Sequence, residues 1–558
     1  MIVYRTASRL VDPALELSRC LAPTATGLDA QMGRLLTVGA VECAITDHAA
    51  PQGDGLDPRV HTLAAATRAA ARVLLEVAID GVAASASERH AQRALAACLT
   101  LSLPPSTELR SPGGFAYDGL HPLSYDAAVR QCLAKYRPAR VLVIGLRTIG
   151  ATLAALVAAR CDREGIPARS LTLRPRGEPL ARTVVVDADW CGAVASERGA
   201  LCLVVDEGPG PSGSSLVAAA DQIERLGHPA DRIVTLCSHD PEPDTLRSLH
   251  AQAHWHRRPR LVAVPHLAPF DQDWSNGRWR SIRCGGPAAW PAVYGRHERP
   301  KGVSAAAPGV LQKFVGLAAW GRPAVQRAEA LADAGFSPPT SVVGNGYVCT
   351  PLLQAEQRPS RRGSARLVAA LARYLPFRRG AFGTGERADV DGLLTLLRSN
   401  VREVWGARYD RALASADRIA AQTPPQPATI VDGRLQPWEW VATPAGLLKV
   451  DAVEHGDDHL QPGPQDCAWD VAGALCEFGW TAPERAELIA TLTAALRDPD
   501  LPQRLPWMVP AYLATRVGFA TTAREALAGS DDGRRFARLE RRYARQLAAA
   551  LEAVPTGH

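Results

Sequence analysis

The sequence predicts an α/β protein made of two units, a parallel sheet covered by helices and then a smaller α+β unit. Between about 140 and 240, short apolar runs alternate with amphipathic helical segments, which is typical of a parallel sheet. The length of 558 residues exceeds what one ordinary core holds. A stretch rich in Trp, Pro, Gly and Arg interrupts the alternation at 266–309, and a second pattern begins near 310.

The first unit is predicted to span 1–265, with a helical N-terminal region at 1–105 and a core at about 106–265. The N-terminal region is alanine-rich with helical periodicity. The predicted core strands are RVLVIGL (140–146), ARSLTLRP (168–175), RTVVV (182–186), LCLVV (201–205) and RIVTLCS (232–238). The predicted core helices are TLAALVAARCDREG (152–165) and VAAADQIERLG (217–227).

The second unit is predicted to span 310–558, after a junction at 266–309. The junction is expected to be partly packed, because its tryptophans are rarely left exposed. The second unit opens with the strand-like run VLQKFVGL and the helical segment PAVQRAEALADAGF. Further on, VREVWGARYDRALASADRIAA is expected to form one long helix, and GRRFARLERRYARQLAAALEAV (533–554) a closing helix.

Composition narrows the class of protein. An apolar content of 47% and a charged content of 22% are those of a globular protein with large cores. The net charge of +6 is small for this length and does not call for a nucleic-acid partner. The 12 cysteines include no CxxC pair, which favours buried reduced thiols. Without a signal peptide or an uninterrupted membrane span, we expect a cytoplasmic protein with no membrane partner.

One stretch of the first unit has the residue pattern of an anion-binding loop. In LCLVVDEGPGPSGSSL (201–216), a buried strand ends in two acids, and a loop of Gly, Pro and Ser leads into a helix. Backbone N–H groups at such a helix start favour anions. The lysine of a Walker loop is missing, and the two leading acids disfavour a dinucleotide loop. Acids before an anion loop suit a ligand that carries both vicinal hydroxyls and a phosphate.

This stretch resembles the phosphoribosyl pyrophosphate (PRPP) motif of type I phosphoribosyltransferases, a Rossmann-like parallel-sheet fold. The resemblance implies that Asp206 and Glu207 contact ribose hydroxyls or act in catalysis, with Arg147 stabilising the leaving pyrophosphate. It further implies a set of PRPP-binding residues in three loops. They are Gly208, Gly210, Ser212, Gly213, Ser214 and Ser215, together with Thr148, Arg174, Arg176 and Arg182. Magnesium and PRPP would then be the cofactor and the co-substrate.

A second pattern lies in the C-terminal unit. Two apolar runs that each end in an acid lie within 428–473, in ATIVDGRLQPWEW and LLKVDA, and are followed by DCAWD. This pattern resembles the C-lobe of kinase-like phosphotransferases of the aminoglycoside and choline kinase sort. Arg434 falls where that family has its catalytic Asp, so the base is expected to be Asp432 or an acid of 455–459. The resemblance implies metal ligands at Asp451, Glu439 and Asp457, and nucleotide contacts at Lys313 and Glu329.

The two resemblances together predict a phosphoribosyltransferase, a pentosyltransferase that releases pyrophosphate from PRPP, coupled to an atypical kinase-like domain. The acceptor is expected to be a small molecule, and ATP is the expected nucleotide if the second half is a kinase. The alternative is a non-catalytic regulatory protein that binds nucleotide or PRPP and has a pseudokinase-like lobe. The sequence leaves the second activity and the oligomeric state open, a homodimer being one arrangement it allows.

Overall fold

The structure is a computed structural model that describes residues 8–21, 27–266, 270–353, 364–444, 446–453 and 461–555. The N-terminal half of the chain opens with four helices, of which the second and fourth pack on the third and the first packs on the second and fourth. They are α1 (Pro13–Leu21), α2 (Leu28–Ala49), α3 (Pro58–Asp80) and α4 (Ser85–Leu99), with a small antiparallel sheet of β1 (Ser8–Val11) and β2 (Thr107–Arg110). Among the described helices, none is long and apolar enough to cross a membrane.

The core of this half is a five-stranded parallel sheet in the order β4-β3-β5-β6-β7, which confirms the predicted parallel sheet. Its strands are β3 (Val141–Leu146), β4 (Ala168–Leu173), β5 (Leu201–Val205), β6 (Ile233–Cys237) and β7 (Arg260–Val262). Its helices are α5 (Gly113–Ala116), α6 (Ser124–Tyr136), α7 (Gly150–Arg163), α8 (Ala188–Ala195), α9 (Ser214–Arg225) and α10 (Leu249–His254).

Helices cover both faces of this sheet, because alternate residues of each strand point to opposite sides. Val141 and Val143 of β3 belong to one buried cluster, which also contains residues of α2, α3, α6 and α7. Leu142 and Ile144 belong to a second cluster, with residues of α8, α9 and α10. Burial on both faces explains why these strands are continuous apolar runs in the sequence.

The predicted strand RTVVV (182–186) is wrong. The segment makes only isolated bridges, Arg176 with Thr183 and Asp54 with Val186, and it does not join the sheet. Val185 is 46% exposed, so β-branched residues here do not signal a buried strand. A β propensity reflects fit to a half-buried pleated surface, and this segment has no neighbouring strand to provide one.

A second sheet follows, five-stranded and antiparallel, in the order β11-β12-β10-β9-β8. Its strands are β8 (Gln272–Asp273), β9 (Lys301–Val303), β10 (Val310–Phe314), β11 (Ser341–Gly344) and β12 (Tyr347–Pro351), with helices α11 (Arg280–Arg283) and α12 (Arg322–Asp333). The segment 266–309, predicted to be a junction, contributes two of these strands. Phe314 and Tyr347 share a buried cluster with Met32 and Leu35, so this sheet packs directly on the N-terminal half.

The chain ends in a mainly helical region around the largest buried cluster. Its helices are α13 (Ala365–Ala381), α14 (Val390–Trp405), α15 (Asp410–Ala421), α16 (Ala468–Glu477), α17 (Ala482–Leu496), α18 (Leu501–Ala526) and α19 (Asp531–Glu552). Its strands form two antiparallel pairs, β13 (Gly383–Arg387) with β14 (Pro427–Thr429), and β15 (Trp440–Thr443) with β16 (Gly446–Lys449).

The helix predicted to span VREVWGARYDRALASADRIAA is two helices. The chain leaves α14 at Gly406, which has a φ of 59°, and enters α15 at Asp410 after one short turn. Glycine adopts such a left-handed conformation without steric cost, which is why it commonly ends a helix. The periodicity continues through the break because both helices bury apolar faces in the same cluster.

Candidate functional sites

The parallel sheet brings the two predicted anion loops of the first half together. β3 and β5 are neighbours in the sheet, although β4 lies between them in the chain. The loop at 147–149 leaves the carboxyl end of β3, and the loop at 206–213 leaves the carboxyl end of β5. This is the point where strand order reverses, the usual ligand position in an open parallel sheet.

Asp206 and Glu207 are both partly enclosed at this edge. Burial raises the pKa of Asp206 to about 7. Burial also raises the pKa of Glu207 well above its usual value, and the neighbouring carboxyl of Asp118 raises it further. Tyr125 fixes the backbone here, since its hydroxyl donates to the carbonyls of Asp206 at 2.7 Å and Glu207 at 3.2 Å. The two acids therefore hold protons more readily than ordinary carboxyls do.

The loop at 208–215 folds into a tight turn before α9. Gly210 and Gly213 have φ values of 54° and 67°, which disfavour any side chain there. Ser214 is buried, and its hydroxyl donates to the carbonyl of Pro179 at 2.7 Å, while Ser212 lies 3.0 Å from it. The remaining predicted loop residues are partly exposed, namely Gly208, Ser215 and Thr148.

The arginines predicted to hold pyrophosphate are bound by two aspartates of the N-terminal region. Arg147 donates from Nε to Asp47 at 2.8 Å and from Nη2 to Asp54. Arg174 also donates to Asp47 at 2.7 Å, and Arg176 lies 3.2 Å from Asp54. The side chains of Arg147 and Asp54 are each 1% exposed. All three arginines are therefore already paired inside the protein, although the two carboxylates leave one positive charge unbalanced.

Arg182 differs from these three arginines, because its guanidinium donates to the carbonyl of Gly177 in its own loop. Sequence reasoning missed Asp47 and Asp54, which lie about a hundred residues before their partners. The segment TDHAAPQGDG carries no local pattern that marks them as ion-pair partners.

A cavity of ≈ 200 Å³ lies between the antiparallel sheet and the C-terminal helices. Its described lining carries six cationic side chains, three carboxylates and several aromatic rings. The cations are Arg283, Arg299, Lys301, Lys313, Arg434 and Arg516, and the carboxylates are Glu298, Glu439 and Asp451. The rings are those of Trp274, Trp279, Tyr294, Trp438, Phe519 and Phe536. The excess of positive charge favours an anionic ligand.

Two residues predicted from the second pattern meet in this cavity. Lys313 of β10 donates from Nζ to Oδ1 of Asp451 at 2.6 Å. Their side chains are 16% and 23% exposed, so the pair is partly shielded from water. Glu329, predicted as the partner of Lys313, lies exposed on α12. Lys313 therefore pairs with Asp451, the predicted metal ligand, and not with Glu329.

Behind the cavity wall lies a fully buried lysine that sequence reasoning missed. Nζ of Lys449 lies 2.8 Å from Oε2 of Glu439 and 3.3 Å from Oδ2 of Asp432. Burial lowers the pKa of Lys449, but the carboxylates of Asp432 and Glu439 more than offset this, so the pKa is raised and the lysine stays charged. The signal available was a single lysine inside the apolar run LLKV.

Asp432, the predicted base, lies in this buried network and is fully buried. Its carboxylate accepts hydrogen bonds from the hydroxyl of Tyr374 and from the backbone N–H of Arg434. Arg434 itself reaches the cavity, with Nη2 at 3.6 Å from Oε1 of Glu439. A role of Asp432 as a base would require its contacts with Tyr374 and Lys449 to open.

The DCAWD element at 466–470 holds the backbone of the loop at 432–433 by hydrogen bonds. Asp470 accepts the backbone N–H groups of Asp432 at 2.8 Å and Gly433 at 2.9 Å. Burial raises the pKa of Asp470 to about 6, and the charge of Asp432 adds to this. Asp466 accepts from Nε of Arg504 at 2.7 Å. Asp457, predicted as a metal ligand, lies outside the described residues together with the rest of 454–460.

Comparisons with known proteins find kinases. No family model and no curated protein sequence matches the chain. A choline/ethanolamine kinase family protein of Mesorhizobium loti is 17% identical with a TM-score of 0.32, over 45% of this chain and 88% of its own. The choline kinase LicA of Streptococcus pneumoniae is 14% identical with a TM-score of 0.31, over 49% and 96%. An ethanolamine kinase of Plasmodium vivax is 9% identical with a TM-score of 0.31, over 59% and 93%.

These comparisons correct the predicted enzyme class. The similar structures are choline and ethanolamine kinases, which are phosphotransferases, and not pentosyltransferases that use PRPP. The site agrees with this correction, because Asp47 and Asp54 already pair with three of the four arginines expected to bind pyrophosphate.

Proposed function

We propose that the C-terminal half binds a nucleoside triphosphate in its cavity and transfers the terminal phosphoryl group to a small molecule. The observation that carries the proposal is the Lys313–Asp451 pair inside a cavity with more cations than carboxylates. In such a transfer, the bond between the terminal phosphorus and its bridging oxygen breaks and a bond to an acceptor oxygen forms. The nucleoside diphosphate leaves, and the acceptor hydroxyl gives up its proton.

The charge of the cavity suits a polyphosphate. A triphosphate concentrates several negative charges within a few ångströms, and arginine side chains bind phosphate oxygens with two parallel hydrogen bonds. Among the described residues, six cations and three carboxylates line the cavity. The aromatic side chains at the same cavity provide faces on which a planar base could stack.

The carboxylates fit a magnesium ion that accompanies the triphosphate. Magnesium is usually held by one or two protein carboxylates, with phosphate oxygens and waters completing the shell. Asp451 offers one carboxylate to the cavity. Glu439 offers a second, since its buried Oε1 has no hydrogen-bond partner among the described residues. Magnesium bound there would neutralise phosphate charge as transfer proceeds.

The residues of the chain supply a rigid frame for this chemistry. Asp470 holds the backbone at Asp432 and Gly433, and Lys449 ties Asp432 to Glu439. A frame that keeps Glu439 and Asp451 in place lowers the cost of orienting charged groups during the reaction. Lys313 would hold a phosphate oxygen when its pairing with Asp451 is shared with the ligand.

A second candidate is a regulatory protein that binds a nucleotide without turning it over. The observation in its favour is Arg434, which reaches the cavity at the position where the resembling family has its catalytic Asp. Asp432, the nearest acid in the sequence, is fully buried. Both candidates share the same binding site and differ only in whether phosphoryl transfer follows.

Two measurements on the full chain separate these candidates. Calorimetry with ATP and magnesium measures binding, and release of ADP is measured across a panel of sugars, amino alcohols and nucleosides. Binding with acceptor-dependent ADP release supports the phosphotransferase. Binding without release for any acceptor supports the regulatory protein, whereas no binding of ATP, GTP or their diphosphates overturns both.

A further inference from the structure

A second cluster of ligand-type side chains lies in the N-terminal half, away from the cavity. Asp221 lies on α9, while His250 and His254 lie on α10. The two histidines are four positions apart, so one face of the helix presents both. Among the described residues, these three form the one group of His, Cys or carboxylate side chains with the spacing of a metal site.

The distances within this cluster suit a small cation. Nε2 of His250 lies 2.7 Å from Oδ2 of Asp221, and Nδ1 of His254 lies 3.7 Å from the same oxygen. All three ligand atoms lie within 4.8 Å of one another. In a tetrahedral zinc site with bonds of about 2.05 Å, ligand atoms are separated by roughly 3.3 Å. Small side-chain rotations therefore suffice to surround an ion.

One ligand atom lacks a partner of its own. Nδ1 of His254 is buried and accepts no hydrogen bond from any described residue. A buried ring nitrogen without a hydrogen bond is costly, because its 3.7 Å contact with Asp221 does not replace the hydrogen bond to water that it has lost. His250 remains 57% exposed, so an ion can reach the cluster from solvent.

We propose that Asp221, His250 and His254 bind a divalent transition cation, with zinc as the representative ion. Two imidazole nitrogens and one carboxylate oxygen are a donor set that suits zinc and its neighbours in the transition series. A water molecule or a further ligand from solvent completes the fourth position. This site is independent of the phosphotransferase proposed for the other half of the chain.

The surroundings hold the carboxylate in place for this role. Nη2 of Arg258 donates to Oδ1 of Asp221 at 2.6 Å, which leaves Oδ2 directed at the histidines. Glu224 also accepts from Arg258, so the arginine's charge is partly neutralised close to the cluster. Hydrogen bonds to the far atoms of metal ligands orient them in the same way in known sites.

A bound cation would tie two elements of the first half together. α9 begins at Ser214, directly after the glycine-rich loop at 208–213, and α10 packs beside it. A metal bridge between the two helices would therefore restrain the helix on which that loop is built. This gives the site a structural role in the N-terminal half.

Zinc binding to the full chain tests the proposal. The protein is stripped with a chelator, kept reduced, and titrated with ZnCl₂ by calorimetry, and bound zinc is counted by elemental analysis after gel filtration. His250→Ala and His254→Ala are compared with His256→Ala, an exposed histidine just beyond α10 that is not part of the cluster. Circular dichroism checks that each variant is folded.

The expected result is that each of the two cluster variants loses one zinc equivalent, or binds it at least about tenfold more weakly, while His256→Ala matches the wild type. Cobalt should give a visible absorption band that both cluster variants lose. Zinc bound elsewhere in the chain would not hide this difference, since it is common to all variants. Equal stoichiometry and affinity in wild type and cluster variants, or no zinc bound by the wild type, overturns the proposal.

Discussion

Lys313 and Asp451 lie 138 positions apart in the chain, and their side chains meet in the cavity with Nζ 2.6 Å from Oδ1. The lysine comes from the antiparallel sheet, and the aspartate follows β16 in the C-terminal region. The pair therefore joins the two walls of the cavity. Under the proposed function, Lys313 would bind phosphate and Asp451 would bind magnesium, next to each other.

Replacing either member of this pair should weaken nucleotide binding. Lys313→Met removes a charge-assisted donor worth about 1.5–3 kcal/mol, which corresponds to roughly a ten- to hundredfold rise in the dissociation constant for ATP. Asp451→Asn should reduce the dependence of binding on magnesium. Lys135→Met and Asp391→Asn, at exposed positions outside the cavity, serve as controls. Unchanged binding in Lys313→Met would argue against a phosphate at this position.

Lys449→Met should destabilise the C-terminal half. The substitution leaves Asp432 and Glu439 buried without their shared cation, a loss of about 3–5 kcal/mol for a broken buried pair. The midpoint of urea unfolding measures this effect. Adding Asp432→Asn should recover part of the loss, because it removes one of the two isolated charges. Arg411→Met, at an exposed site on α15, should leave the midpoint in place. A Lys449→Met protein as stable as the wild type would contradict a buried network.

Asp206 should make stability depend on pH in the first half. Its pKa is about 7 in the folded protein and near 3.8 when unfolded, so the folded state holds the proton more tightly. The stabilisation is complete below the unfolded pKa and is lost as pH rises through about 7. Asp206→Asn keeps a neutral side chain at every pH. The variant should therefore match the wild type near pH 4 and exceed its stability by between about 1 and 4 kcal/mol at pH 8.

The measurement for Asp206 is urea unfolding of both proteins between pH 4 and pH 8. Their difference isolates this carboxyl from other groups whose protonation changes over the same range. A constant difference across the pH range would mean that Asp206 is ionised in the folded protein throughout.

Arg147→Met should lower the free energy of unfolding of the N-terminal half. The substitution removes the guanidinium that pairs with Asp54, whose side chain is 1% exposed, and it leaves Asp47 with one fewer cation. Breaking a buried pair from one side should cost about 3–5 kcal/mol of unfolding free energy in the N-terminal half. Arg182→Met is the matched control in the same region, since its guanidinium contacts a backbone carbonyl. Equal midpoints for the two variants would show that the ion pairs with Asp47 and Asp54 contribute little.

Much of the fold was predictable, because local periodicity reports burial. β3, β5 and β6 are continuous apolar runs since both of their faces are covered. The segment between β5 and β6 is amphipathic because the polar face of α9 is only partly covered. Two local patterns led to wrong predictions, a strand at 182–186 and one continuous helix across Gly406. The 182–186 run is β-branched but has no partner strand, and the break at Gly406 leaves the apolar periodicity intact on both sides.

The sequence by itself determined the parallel sheet and the loops at its carboxyl edge, and it marked Lys313 and Asp451 as candidate site residues. Each of these is marked by its immediate neighbours, as an apolar run, a glycine-rich turn or a charge at a strand end. Only the tertiary structure decided three groupings of charged side chains. Asp47 and Asp54 pair with three arginines of the sheet edge, Lys449 links Asp432 to Glu439, and Asp221 lies beside His250 and His254. Charged partners are selected by proximity in space, and the energy of an ion pair depends on distance and burial, which no local pattern encodes.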